Sequence, residues 1–516
     1  MAAGSFDDPD PHASGSTRGH WLRLCRMGID TYQEPVVYMR RSCHVCRSEG
    51  FEAQSRVQIE LGERRIVATL NVVHGELVGH GEAGLSESAW RLLGAREGEA
   101  ARFSHPAPIE SMAAVRAKIY GHHLEAGQIR RIVEEIVAGS YSQVEIAGFV
   151  AACGGDHLDE RETEALTRAM LEVGERLDWG RPLVADKHCV GGLPGNRTTP
   201  IVVAIAAAAG LVMPKTSSRA ITSPAGTADV MEVIAPVALD VAAMRRVVER
   251  EGACIVWGEA VGLSPADDAL IRVERVLDLD SEGQLVASVL SKKIAAGATH
   301  VVIDVPVGST AKVRSEQAAD RLLDRLTRIG LGFGLAVHAV LTDGSQPVGR
   351  GIGPALEASD VLAVLQRAPR APADLRERAL ALAARLLELC GAAARGAGLG
   401  AAARCLDDGS AWRKFRAICE AQGGFREPPR AAFVHDVVAE RDGRIESFDN
   451  RRLARAAKLA GAPIASAAGI ELHVRRGERV RSGDRLFTLH AEAEGELAYA
   501  LDYVRRVPQL IALEPE

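Results

Sequence analysis

Aromatic residues are scarce in this chain: Phe, Trp and Tyr together make up 4% of its 516 residues. Alanine is abundant instead, which favours helices. Long apolar runs are also missing. The longest begins at Ile201 and ends at Met213, too short to span a bilayer. The N-terminus lacks the apolar core of a secretory signal. Nine cysteines are scattered without the spacing of a disulfide framework. These absences point to a reducing, cytoplasmic location. A strong charge of one sign is absent too. The net charge of −6 gives no reason to expect nucleic acid or a membrane surface as partner, so any affinity for phosphate must come from a local site.

A chain of this length exceeds one core, and two to four domains are expected. Residues 1–21 are rich in Asp, Ser, Gly and Pro and read as a disordered tail. Over 22–105 short alternating runs (VVYMR, RVQIEL, RIVATLNVV) predict a β-rich N-terminal domain with one helix capped by Ser86 or Ser88. Residues 106–180 carry apolar positions at helical spacing, broken at Gly139-Ser140, and predict a helical lobe joined by later helices. From 181 to 430 helix and strand patterns alternate, which predicts a central α/β domain. Residues 431–516 read as a compact α+β domain. The fold class is therefore multidomain α/β. Cys43 and Cys46 form a CxxC, but zinc would need two further ligands and no second CxxC exists, so ordinary cysteines in a turn region are preferred. The segment RRGERVRSGDRLFTL resembles the hammerhead turn of biotinyl and lipoyl domains. It contains no Lys, so covalent cofactor attachment is not expected.

The chain is organised around Asp186 to Glu232. DKHCVGGLPGNRTTP opens this stretch, an apolar run follows, and PKTSSRAITSPAGTADVME closes it. Thr199-Pro200 carries the signature of a helix cap and first helical position, and Ser223-Pro224 repeats it. Helix starts leave N–H groups unpaired and carry partial positive charge. Gly191, Gly192 and Gly195 let the backbone approach a ligand, and Lys187 and Arg219 add full charges. Such a combination binds phosphate. Thr199 and Ser223 as caps alone are the plainer alternative; two Pro-marked starts beside two cations favour an anion site.

These motifs resemble the thymidine phosphorylase/AMP phosphorylase family, from about Met27 to the C-terminus, and the Gly loop and SSRAITSPAGT segment are closest to the AMP phosphorylase branch. The resemblance implies the nucleoside phosphorylase class II type of fold, a helical lobe against a mixed α/β lobe. It implies phosphorolysis of the N-glycosidic bond of a nucleoside or nucleoside 5′-monophosphate, yielding a base and a pentose 1-phosphate, or ribose 1,5-bisphosphate from an AMP-like substrate. It carries phosphate binding onto Lys187, Thr199, Ser217 and Thr227. It carries substrate binding onto Gly192, Ser218, Arg219, Ala220, Ile221, Thr222, Ser223, Thr227, Ser288, Lys292 and Lys312. Asp280 takes the place of the proton donor, with Asp278 a nearby competitor. An acid there would neutralise the departing base while phosphate opposes a positive sugar. His188 either faces the base or is structural.

Cys189 lends its backbone N–H; adjacent His188 points to the opposite face, so the two form no dyad. The Arg that joins Ser288 and Lys292 in thymidine phosphorylases is replaced here by Glu274 or Arg275. Lys312, matching a nucleotide-binding Lys, suits a 5′-phosphate. The resemblance implies a homodimer or larger homo-oligomer and an N-terminal domain that takes part in assembly. It implies no cofactor beyond phosphate as co-substrate and no required metal, although some relatives bind potassium near a segment like GPALE. Three other readings stand beside it: thymidine phosphorylase proper, a phosphoribosyltransferase of the anthranilate type, and a non-catalytic binding or assembly protein.

Overall fold

The computed structural model describes residues 20–220, 223–277, 279, 281–507 and 510–514. The expected tail at 1–21 falls outside these residues as far as residue 19. The chain divides into two compact units, Met1–Ala113 with Glu135–Ile146, and Ala114–Glu134 with Ala147–Glu516.

The first unit is built on a closed barrel of six strands: β1 (Trp21–Arg26), β2 (Val36–Arg40), β3 (Arg56–Leu61), β4 (Arg64–Val73), β5 (Glu82–Leu85) and β6 (Ala100–Ser104), in the order β1-β5-β2-β4-β3-β6. Closure leaves no unpaired edge. Alternating residues fill the interior, among them Leu22, Leu24, Val57, Ile59 and Phe103. Ser86, of the two candidate caps, starts the helix Glu87–Leu93: its hydroxyl accepts from the Ala89 N–H, and Gly94 ends the helix in the left-handed region. The CxxC opens the short helix His44–Glu49, with both thiols buried.

The stretch expected to be helical contains Met112–Ile119, Ala126–Val137, Gln143–Ala152 and Glu160–Glu172. In the second unit, Glu160–Glu172 begins in a reciprocal cap between Asp159 and Glu162. The long helix Glu282–Ala295 packs along it. The same unit holds a parallel α/β layer built from β7 (Ala185–Cys189), β8 (Met213–Ser217), β9 (Ala253–Trp257), β10 (His300–Val307) and β11 (Ala336–Asp343). Strand β10 pairs with both β11 and β7, and β8 pairs with β9. The Ala185 N–H donates to the Val212 carbonyl at 2.8 Å, which brings β7 beside β8. Strands β9 and β10 are apolar and buried nearly throughout, whereas β7 and β8 bury charged and polar side chains, Asp186, Lys187 and Lys215 among them. Helix Thr198–Ala208 is buried on all sides in the largest apolar cluster.

The C-terminal part pairs Gly469–Leu472 with Gly351–Ile352, so its sheet borrows a strand from the α/β region. That junction buttresses the glycine loop. A Cβ on Gly195 would lie 2.2 Å from the Val348 carbonyl oxygen, and one on Gly353 would lie 2.3 Å from that of Ala468. Among the described residues no helix is long and apolar enough to cross a membrane.

Two expected helix starts differ in the structure. The helix expected to follow Thr199 begins at Thr198, with Arg197 at the cap position and no side-chain cap. The one expected after Ser223-Pro224 begins at Thr227, because Gly226 interrupts the run and Asp229 reaches back to its N–H. Ser223 turns instead onto the Ala225 carbonyl at 2.9 Å.

Candidate active site

Strand β7 sets the geometry. Successive strand residues face opposite sides, so Asp186 and Lys187 serve two different clusters. Lys187 is fully buried. Its ammonium donates to the Thr198 hydroxyl at 2.8 Å and the Thr199 hydroxyl at 3.3 Å, at the first turn of the buried helix. Asp304, level with Cys189 on neighbouring β10, lies 3.9 Å from the same ammonium. Asp304 also accepts from Asn196 at 2.8 Å and Thr342 at 2.6 Å, which fastens the glycine loop to the sheet. A buried carboxylate so supplied with donors has its hydrogen-bonding capacity met.

On the other face, Asp186 is held by Lys293 at 2.7 Å and Lys215 at 3.3 Å. Burial alone would raise its pKa, yet the two lysines and the Lys187 N–H bring it below the usual value. Burial and then Lys293, against the pull of Asp186, press Lys215 down to about 7. His188 shares this face. Burial first, then Lys293, Lys215, Lys292 and Lys187, drive its pKa well below that of a free imidazole, so it is neutral at pH 7. A neutral ring offers one N–H and one lone pair, not a proton-rich acid. Burial and Asp304 push the Cys189 thiol up to about 12, which removes it as a nucleophile.

Arg197, which sequence reasoning passed over inside the quoted motif, joins the two helix starts. It donates to the Thr227 hydroxyl and the Ala225 carbonyl, each at 2.8 Å, and binds Glu357 through Nε at 2.8 Å and a terminal nitrogen at 2.7 Å. Thr199 and Thr227, predicted together, are thus linked through one guanidinium and its backbone. Ser217 ends β8, buried. Arg219 is engaged within its own loop. It binds Glu232 and Asp229 and lies 4.6 Å over the Trp257 ring. The Ala220 N–H donates to Asp229 at 2.7 Å, and the Ser218 carbonyl accepts from the Ala228 N–H at 3.3 Å. Ile221, Thr222 and Asp280 lie outside the described residues.

A third cluster gathers around Lys292, which donates to Asp267 at 2.7 Å and to the Ser288 hydroxyl at 2.8 Å. Asp267, Asp268 and Glu274 come from helix Pro265–Leu277. Burial, then Asp267 and Glu259, raises Asp268 to about 7. Burial and then Asp267 raise Glu274 to about 7, with Lys312 and Lys292 pulling the other way. Of the two candidates, Glu274 is the one on which Lys292 acts electrostatically, and Arg275 is exposed. Lys312 is brought to the glycine loop: a Cβ on Gly192 would sit 2.5 Å from its backbone nitrogen. Asp186, Lys215 and Lys293 were given no role from the sequence, although each stands within two positions of a chosen residue; Asp304 carried no local signal at all.

Residues 181–412 match the glycosyl transferase family a/b domain, 112–174 its helical bundle domain, and 444–509 the pyrimidine nucleoside phosphorylase C-terminal domain. A Polaromonas sp. protein provisionally named thymidine phosphorylase is 65% identical over 96% of both chains. One from Hahella chejuensis, named likewise, is 58% identical over 96% of this chain and 98% of its own. Among solved structures, anthranilate phosphoribosyltransferase from Thermus thermophilus aligns with 60% of this chain and 99% of its own, at 22% identity and a TM-score of 0.48. With a helical bundle, an α/β domain and the C-terminal domain in this order, and near-full-length relatives at such identity, the chain belongs to the thymidine/pyrimidine nucleoside phosphorylase family of pentosyl transferases.

Proposed function

We propose that the protein phosphorolyses a nucleoside 5′-monophosphate, releasing the base and forming ribose 1,5-bisphosphate. The observation that carries this reading is the buried Lys187 ammonium at the first turn of helix Thr198–Ala208, tied through Arg197 to Thr227 at the start of the next helix. An ammonium, hydroxyls and helix N–H groups form a set of donors suited to inorganic phosphate. Phosphate held there attacks C1′ as the glycosidic bond lengthens, and its charge opposes the developing oxocarbenium ion. The base leaves with a proton, assigned to Asp280. Neutral His188 is suited to hydrogen bonding rather than to acid catalysis. Lys312, beside Gly192, supports a substrate that brings a second phosphate.

The names of the relatives favour a second reading, phosphorolysis of thymidine to thymine and 2-deoxyribose 1-phosphate. Phosphate-dependent base release from AMP, CMP, UMP, thymidine and uridine separates the two. Turnover of the monophosphates above the nucleosides is expected; turnover of thymidine and uridine alone would remove the role given to Lys312.

No metal is assigned to the reaction. Glu357, in the GPALE segment, is buried and takes Arg197 on one oxygen and the Gly353 N–H at 3.1 Å on the other. The guanidinium already supplies the positive charge a potassium ion would bring. Exchanging potassium for sodium in the assay is expected to leave the rate unchanged; activation specific to potassium would contradict this.

A further inference from the structure

Arg197 is charged, sits in the anion cradle and yet offers the anion nothing directly. Its side chain is 12% exposed, and each guanidinium nitrogen is committed within the protein. Nε lies 2.8 Å and Nη2 2.7 Å from Glu357 Oε2. Nη2 also donates to the Ala225 carbonyl, and Nη1 to the Thr227 hydroxyl, each at 2.8 Å. Glu357 is buried and is itself fixed by the Gly353 N–H. The guanidinium is therefore clamped in one plane between two separate segments of the chain. So held, it addresses Thr227 and not a ligand. A hydroxyl has one hydrogen and two lone pairs. At Thr227, which is half-buried, the guanidinium takes a lone pair and the hydrogen turns away from Arg197. Among the described residues no acceptor takes that hydrogen. The main chain of Arg197 has a second task. Its N–H donates to the Gly195 carbonyl at 2.6 Å, directly before Thr198 and Thr199, whose hydroxyls accept from Lys187.

We propose that Arg197 is a positioning residue for phosphate: it fixes the Thr227 hydroxyl as a donor and does not touch the anion. This rests on the phosphorolysis reading above. Left to itself, a threonine hydroxyl rotates and presents either a hydrogen or a lone pair. A lone pair turned toward a phosphate oxygen repels it. Setting the rotor in advance removes that cost from binding. The guanidinium also draws charge from the hydroxyl oxygen, which makes its hydrogen the better donor. Glu357 has a part in this as well. It balances the guanidinium in an enclosed place, so the cradle gains an ordered donor without a further full charge facing the phosphate. A lysine is no substitute, since one ammonium has no planar fork with which to reach Glu357 and Thr227 together.

The test measures initial rates of the full-length protein with phosphate varied at saturating nucleoside or nucleotide, and then the reverse. Thr227→Val removes the hydroxyl and keeps the branched shape. Arg197→Met is made together with Glu357→Gln, because removing one partner alone would strand a buried charge. Thr227→Val and the paired variant are each expected to raise KM for phosphate by about tenfold, the equivalent of one well-placed hydrogen bond to an anion. KM for the other substrate is expected to stay within about twofold of the original. Action through Thr227 means that the two losses do not multiply. Thr227→Val added to the paired variant is expected to cost no more than about twofold further. Arg197→Lys keeps the charge and is expected to raise KM for phosphate as well; it decides the matter alone if the paired variant does not fold. An original phosphate KM in Arg197→Lys or in the paired variant overturns the proposal, as the sign of a brace that only holds shape. Losses that multiply overturn it too, since Arg197 would then serve the phosphate without Thr227. If the unaltered protein releases no base from any of these substrates with phosphate, the phosphorolysis reading falls, and this inference with it.

Discussion

Lys187→Met is expected to lower kcat/KM for phosphorolysis by about 10²–10³, the usual consequence of removing a preorganised donor from the charge that develops in a transition state. Most of the loss should appear as weakened phosphate dependence, with calorimetry showing no phosphate binding at concentrations that saturate the unaltered protein. Methionine is chosen because it fills similar space. Lys187 is wholly enclosed, and a truncation to alanine would add a cavity to the loss of charge. The fold should survive, because Asp304, whose carboxylate lies 3.9 Å from the ammonium, keeps its hydrogen bonds from Asn196 and Thr342. A variant that folds and still turns over substrate at the original phosphate dependence would leave the anion cradle without a function. In that case a non-catalytic role for the chain would have to be reconsidered.

The residues around that cradle show what a sequence can disclose. Lys187 and Thr199 were legible because they sit in a long motif with glycines whose positions only a close approach explains. Gly192 and Gly195 do meet other backbone at 2.5 and 2.2 Å from where a Cβ would stand. Barrel strand β3 was legible from alternation and β2 as a short apolar β-branched run, and their bounds coincide with the runs RVQIEL and VVYMR. Less was readable where a side chain's role depends on a partner far along the chain. Arg197 reaches Glu357 across 160 positions, and Lys293 reaches Asp186 across 107. No local pattern encodes such pairings. The Ser-Pro signature misled at Ser223, where Gly226 and the Asp229 side chain move the helix start to Thr227. The same signature stands at Ser264-Pro265, where a helix does begin at Pro265. Its heavy charge hid the apolar stripe of Ala266, Leu270 and Val273, and with it the face that presents Glu274.

Asp186→Asn is expected to destabilise the protein by about 3–5 kcal/mol, the cost of stranding buried charge by removing one partner of an ion pair. The substitution changes almost no volume, so packing contributes little. What remains is Lys293 and Lys215 facing each other in an enclosed space, with an amide in place of the carboxylate that separated them. The pH dependence distinguishes this from a loss of shape. In the unaltered protein Asp186 has a folded pKa below the 3.8 of a free aspartate side chain. Its contribution is therefore present above the unfolded value and is lost as pH falls through the folded one. Lys215 runs in the opposite sense. Its folded pKa of about 7 lies below the 10.5 of a free lysine. Between those values the unfolded chain binds more protons, so stability rises with pH across that window. Without Asp186, the deficit should be greatest at acidic pH, where Lys215 is protonated, and should shrink as pH rises and Lys215 gives up its proton. Denaturant unfolding of the two proteins from pH 5 to pH 9 measures this. A deficit that is constant over that range would mean that the carboxylate holds shape and not charge.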